Sequence, residues 1–130
     1  MITCKDQPLQ YQTTFSNVKQ TGFADTTKDK GGHSSGFRPH ELLEASLASC
    51  LNMHLRMYAS TNKLPLKGIS TAVALDRSLS NEVKFNYSIT LIGPLSPEQK
   101  ERLYQVAKTC PVHKTLSAVI SLNKVENIEA

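Results

Sequence analysis

Residues 39–60 read PHELLEASLASCLNMHLRMYAS. Pro39 suits the first turn of a helix, where its missing N–H would have no intrahelical partner anyway. Leu42, Leu43, Ala45, Leu47, Ala48, Leu51, Met53, Leu55, Met57 and Ala59 follow, mostly strong helix formers. The stretch predicts one long helix from Pro39 to about Ser60. Its apolar residues occupy nearly the whole circumference rather than one stripe, the pattern of a helix covered on most sides. A chain of 130 residues has little material to surround such a helix. Leaving several leucine-sized side chains in water, at roughly 1.5–3 kcal/mol each, would compete with the stability of the whole domain. A homodimer packing two such helices together is therefore expected.

Upstream of the helix, Asp29-Lys30-Gly31-Gly32-His33-Ser34-Ser35-Gly36 reads as a flexible loop. Before it, residues 11–15 and 21–25 are short β-type segments between polar breaks, a small meander. Downstream, Ile69, Thr71, Val73 and Leu75 share one face. Val83, Phe85, Tyr87, Ile89 and Leu91 then alternate strictly with polar residues, a half-buried strand. Leu79-Ser80-Asn81-Glu82 joins the two as a hairpin. Ser96-Pro97-Glu98-Gln99 has capping-box spacing and a first-turn proline, so a second helix runs to about Lys108. Cys110 opens a short further helix, and residues 118–122 close as a strand. No internal repeat is visible. The pattern is α+β with mostly antiparallel strands, in a single domain over residues 1–130.

Composition excludes several classes. No apolar stretch reaches the roughly 18 residues of a membrane helix, and the N-terminal residues lack a signal-peptide core. A cytoplasmic protein with no membrane partner is expected. The formal net charge is +4, but the lysines from Lys5 to Lys124 are scattered, with no basic helix face and no aromatic ladder. A solvated surface explains them, and no nucleic-acid partner is expected. Three cysteines without export signals point to reactive or merely buried thiols rather than a disulfide framework.

Cys50 lies in the middle of the apolar helix, and Cys110 begins Cys110-Pro111-Val112-His113-Lys114. A buried helix brought against the start of a second helix can hold two thiols within reach of each other, the layout of a redox-active dithiol. Locally, Cys110 has the better electrostatics: a helix start with His113 and Lys114 nearby favours the thiolate. Cys50 gets no such help from its own segment.

Gly31-Gly32, Gly36, Pro39, Leu42, Cys50 eleven residues after the proline, and the late Cys110-Pro111 pair together resemble the organic hydroperoxide resistance and osmotically inducible OsmC-like proteins. The resemblance spans most of the chain. It implies an intertwined homodimer with long central helices packed between antiparallel sheets. It also implies a peroxidase in oxidative-stress defence. Cys50 would attack an organic hydroperoxide to give a sulfenic acid, Cys110 would resolve it to a disulfide, and an external dithiol reductant would restore both thiols. No cofactor is implied. The family activates its thiolate with an N-terminal arginine and a glutamate directly after the proline. Here no arginine precedes Arg38, and His40 occupies the position after Pro39, with Glu41 one step later. Arg38 or Lys28 is the available replacement cation, and Glu41 the available carboxylate.

Each candidate has a plainer alternative. Glu41 and Glu44 suit an ordinary helix first turn, where carboxylates complement the dipole. His54, one turn after Cys50, is either a base or cation for the thiol or a histidine hydrogen-bonded in a dimer core. His113 is also placed to face solvent, and Cys4 reads as a passive thiol. Cys50, His54, Cys110 and His113 have spacings compatible with a Cys2His2 zinc set. Buried, inert cysteines in a non-catalytic binding or structural dimer are the remaining alternative.

Overall fold

A computed structural model describes residues 1–129. They fall into two compact units, Met1–Leu43 with the described residues from Asn123 onward, and Glu44–Leu122.

The first unit holds an antiparallel meander of β1 (Thr3–Asp6), β2 (Thr13–Ser16) and β3 (Thr21–Ala24). The two expected segments are strands, and β1 joins them where no strand was expected. Phe15 pairs across the ladder with Gly22, and its ring lies over the space a side chain at Gly22 would fill. After β3 the chain makes a single 3₁₀ turn at Lys28–Lys30. Asp25 is only 2% exposed and organises the glycine-rich loop. Its carboxylate accepts backbone N–H from Thr26 at 2.7 Å and from His33 and Ser35 at 3.2 Å, and the Ser35 hydroxyl at 2.6 Å. These donors hold the Asp25 pKa down to about 2, the Ser35 hydroxyl contributing most, against the opposing effect of burial.

Helix α1 (Pro39–Thr61) spans the expected segment and contributes Pro39–Leu43 to the first unit. In the second unit, β4 (Gly68–Asp76) and β5 (Lys84–Ile92) form the expected antiparallel hairpin. Ile69, Thr71, Val73 and Leu75 stand directly opposite Leu91, Ile89, Tyr87 and Phe85, so the two alternating patterns coincide on one face. That face meets α1. Thr71 donates its hydroxyl to the Ala48 carbonyl at 2.8 Å, Asn52 donates to Ile69 O at 3.3 Å, and the Arg56 guanidinium donates to Leu66 O at 2.7 Å. Gly93 has φ +140°, and a side chain there would strike the Pro65 carbonyl, so the turn leaving β5 requires glycine. Helix α2 (Pro97–Ala107) begins with the expected capping box, Ser96 Oγ accepting Gln99 N–H and Gln99 accepting Ser96 N–H.

Leu47, Leu51, Leu55 and Ala59 recur every fourth residue along α1 and are buried with Leu66, Leu95, Leu103, Ala107 and Cys110. Within one chain the buried part of α1 is thus a stripe. Met53 and Met57, expected to be covered, are 56% and 64% exposed.

Residues 118–122 correct the sequence reading, since they form no strand. Val119 and Leu122 are almost fully exposed. A strand needs a neighbour for its N–H and C=O groups, and this segment is in no strand ladder among the described residues.

Candidate functional site

Cys50 follows from the geometry of α1. It sits one residue before fully buried Leu51, on the flank of the buried stripe, and is therefore half-buried. Cys110 is set by the junction of two helices. Its N–H donates to Ala107 O at the end of α2, and its carbonyl accepts Lys114 N–H in α3 (Pro111–Ser117). Leu103 and Ala107 bury that end of α2, and Cys110 goes with them to 0% exposure.

The two sulfurs lie 2.6 Å apart, with Cys110 donating to Cys50, and both cysteines are free thiols. A disulfide bond is about 2.05 Å long, so bond formation needs little movement. The expectation that the helix start lowers the Cys110 pKa is overturned. Burial pushes this thiol up, and its contact with Cys50 pushes it further. The Val112 and His113 backbone N–H groups of α3 pull the other way. Taking the thiolate out of water outweighs the dipole of a seven-residue helix.

The two histidines turn elsewhere. His54 Nε2 lies 2.8 Å from Thr109 Oγ1, whose hydroxyl donates to Val106 O at 2.7 Å. His113 meets Tyr87 edge to face, with ring centroids 5.7 Å apart and its Nε2 3.5 Å from the phenol oxygen. Leu47, Phe85, Tyr87, His113 and Leu116 line a cavity of about 180 Å³ beside α3. Among the described residues no group of three or more His, Cys, Asp or Glu is arranged to hold a metal ion, so the zinc set does not assemble.

In the first unit Arg38 and Glu41 hold each other. Glu41 Oε1 accepts both the Arg38 backbone N–H and its Nε–H at 2.9 Å, capping the start of α1. The backbone donor, then the guanidinium, holds the Glu41 pKa below the usual carboxylate range. Lys28 lies in the 3₁₀ turn, and Cys4 is exposed on β1 opposite Phe15. In the second unit Glu44 accepts the Leu75 N–H at 3.3 Å.

The OsmC-like protein family pattern matches residues 31–123, from the glycine-rich loop past both cysteine motifs. This chain belongs to the OsmC-like family. Its fold is that of an OsmC-like protein from Mycoplasma pneumoniae, at TM-score 0.76 and 23% identity over 92% of this chain and 87% of that one. An organic hydroperoxide resistance protein OsmC from Legionella pneumophila shares it at TM-score 0.63 and 19% identity, over 90% and 89% of the two chains. An organic hydroperoxide resistance protein from Elizabethkingia anophelis with thiocyanate bound follows at TM-score 0.68 and 13% identity, over 89% and 86%. No curated protein matches the chain.

In this OsmC-like protein no described helix is long and apolar enough to cross a membrane. The arrangement sets a half-buried cysteine against a fully buried one. Tyr87 and Thr109 were not singled out from the sequence. Tyr87 reads as one more inward residue of an alternating strand, and only the position of Thr109 just before Cys110 offers a hint.

Proposed function

We propose that this protein is a thiol-dependent peroxidase that reduces organic hydroperoxides through Cys50 and Cys110, in oxidative-stress defence. The observation carrying this is the pair of sulfurs 2.6 Å apart with unequal exposure. A peroxide can approach half-buried Cys50 but not enclosed Cys110. Burial raises the Cys110 pKa, so Cys110 keeps its proton beside Cys50.

The Cys50 thiolate attacks one peroxide oxygen. The O–O bond breaks, Cys50 becomes a sulfenic acid, and the alkoxide leaves as the alcohol on taking a proton. The Cys110 sulfur then attacks the Cys50 sulfur, forming the disulfide and releasing water. An external dithiol reduces the disulfide by exchange, leaving itself oxidised. An external dithiol reductant suits a reducing cytoplasm. For thiolate activation, Arg38 and Glu41 are the candidates left by the family pattern, and Arg38→Lys and Glu41→Gln test them by kcat/KM.

The protein works as a homodimer in this proposal. Exposed Met53 and Met57 on α1 and the exposed apolar Val119, Ile120 and Leu122 all lack cover in one chain, and a second copy supplies it. Hydroperoxide consumption with a lipoyl-type dithiol, run beside Cys50→Ser and Cys110→Ser, tests the activity. Turnover that survives both substitutions removes the proposal.

A further inference from the structure

Two contacts join the same two segments. Cys50 and His54 stand one turn apart on α1, and Thr109 and Cys110 are consecutive between α2 and α3. The sulfurs make one contact, and His54 Nε2 with Thr109 Oγ1 makes the other. Leu51 and Leu55 of α1 share the buried core with Leu103 and Ala107 of α2. The second polar contact adds a directional restraint to that packing, one helical turn from the sulfurs.

Thr109 Oγ1 lies 2.7 Å from Val106 O, and the Thr109 N–H donates to the same carbonyl at 2.9 Å. Oγ1 also meets His54 Nε2 at 2.8 Å, as donor or acceptor according to the imidazole tautomer. Thr109 is thus fastened to the end of α2, and His54 is fastened to Thr109. Among the described residues His54 has no hydrogen bond to either sulfur.

We propose that His54 is a positioning residue, whose Nε2 hydrogen-bonds the Thr109 hydroxyl and so holds the Cys110 sulfur at Cys50. This deepens the dithiol reading of the site and rests on it for its purpose. It assigns His54 a mechanical part rather than that of a base.

The test is the equilibrium Cys50–SH + Cys110–SH + GSSG ⇌ Cys50–S–S–Cys110 + 2 GSH, measured in glutathione buffers on the full chain carrying Cys4→Ser. Thr109→Val and His54→Leu break the grip from either end. Each should lower the equilibrium constant for disulfide formation by roughly threefold to tenfold, the factor one net hydrogen bond represents. The double variant should be no worse than either single one. Thr109→Ser keeps the hydroxyl, and His54→Gln places an N–H where Nε2 was, so both should stay within twofold of wild type. Unchanged exchange in Thr109→Val, additive losses in the double variant, or His54→Gln falling as far as His54→Leu would each overturn the assignment. The exchange needs no peroxide. A wild-type protein that ignores hydroperoxides yet shows this pattern would end the peroxidase reading and leave the grip standing.

Discussion

Cys110 has no exposed surface, yet its sulfur lies 2.6 Å from the half-buried sulfur of Cys50, which lies 60 positions earlier in the chain. Contact and unequal access together divide the chemistry. Cys50→Ser should abolish turnover. Cys110→Ser should permit one oxidation and leave a trappable sulfenic acid on Cys50. Mass spectrometry after one equivalent of hydroperoxide reads both. Sulfenic acid on Cys110 in the Cys50→Ser protein, formed at the wild-type rate, would reverse the order.

The raised Cys110 pKa has an alkaline consequence. The folded state holds this proton more tightly than the unfolded chain, so the stability it contributes is complete below the ordinary thiol pKa of about 8.5. It is lost as pH rises from there through the raised value. Urea midpoints across that range should fall more steeply for the wild type than for Cys110→Ser, whose hydroxyl does not titrate. Parallel curves would refute this.

Asp25 has the opposite sign. Its pKa is lowered to about 2, so its contribution is full above the unfolded value near 3.9 and disappears as pH falls through about 2. Asp25→Asn should lower the thermal midpoint at pH 7, because one acceptor oxygen cannot replace the four contacts of the carboxylate. The gap from wild type should narrow toward pH 2. A constant gap across that range would show that charge is not the cause.

Met53 and Met57 are well exposed on a helix whose other side is the core. A dimer that covers them should not tolerate charge there. Met53→Glu with Met57→Glu should shift the wild-type dimer toward monomer in sedimentation at micromolar concentration, whereas Lys63→Glu at exposed Lys63 should leave it intact. A folded wild-type monomer under the same conditions would remove the dimer from the proposal.

The capping box of α2 gives a stability check far simpler than the site. Ser96→Ala strips the acceptor of Gln99 N–H and should cost about 1 kcal/mol in urea denaturation. A loss below about 0.3 kcal/mol would mean that water replaces the cap.

Much of the fold is legible because it is local. Pro39 and the helix formers after it mark α1, the alternation from Phe85 to Leu91 marks β5, and Ser96 with Gln99 marks the start of α2. Each signal lies within a few residues of the structure it specifies. The spacing of Pro39, Cys50 and Cys110-Pro111 also carries the family, and with it the expectation that the two thiols meet.

What stays hidden depends on partners remote in sequence. Residues 118–122 have the composition of a strand, but a strand exists only where another backbone completes its hydrogen bonds. Cys110 has the local charges of a low-pKa thiol, and the packing of Leu103, Ala107 and α1 reverses that by excluding water. The sequence therefore determined which segments become helices and which thiols face each other. Tertiary packing alone decided which cysteine is enclosed and keeps its proton, because desolvation depends on every atom around a group and not on its neighbours along the chain.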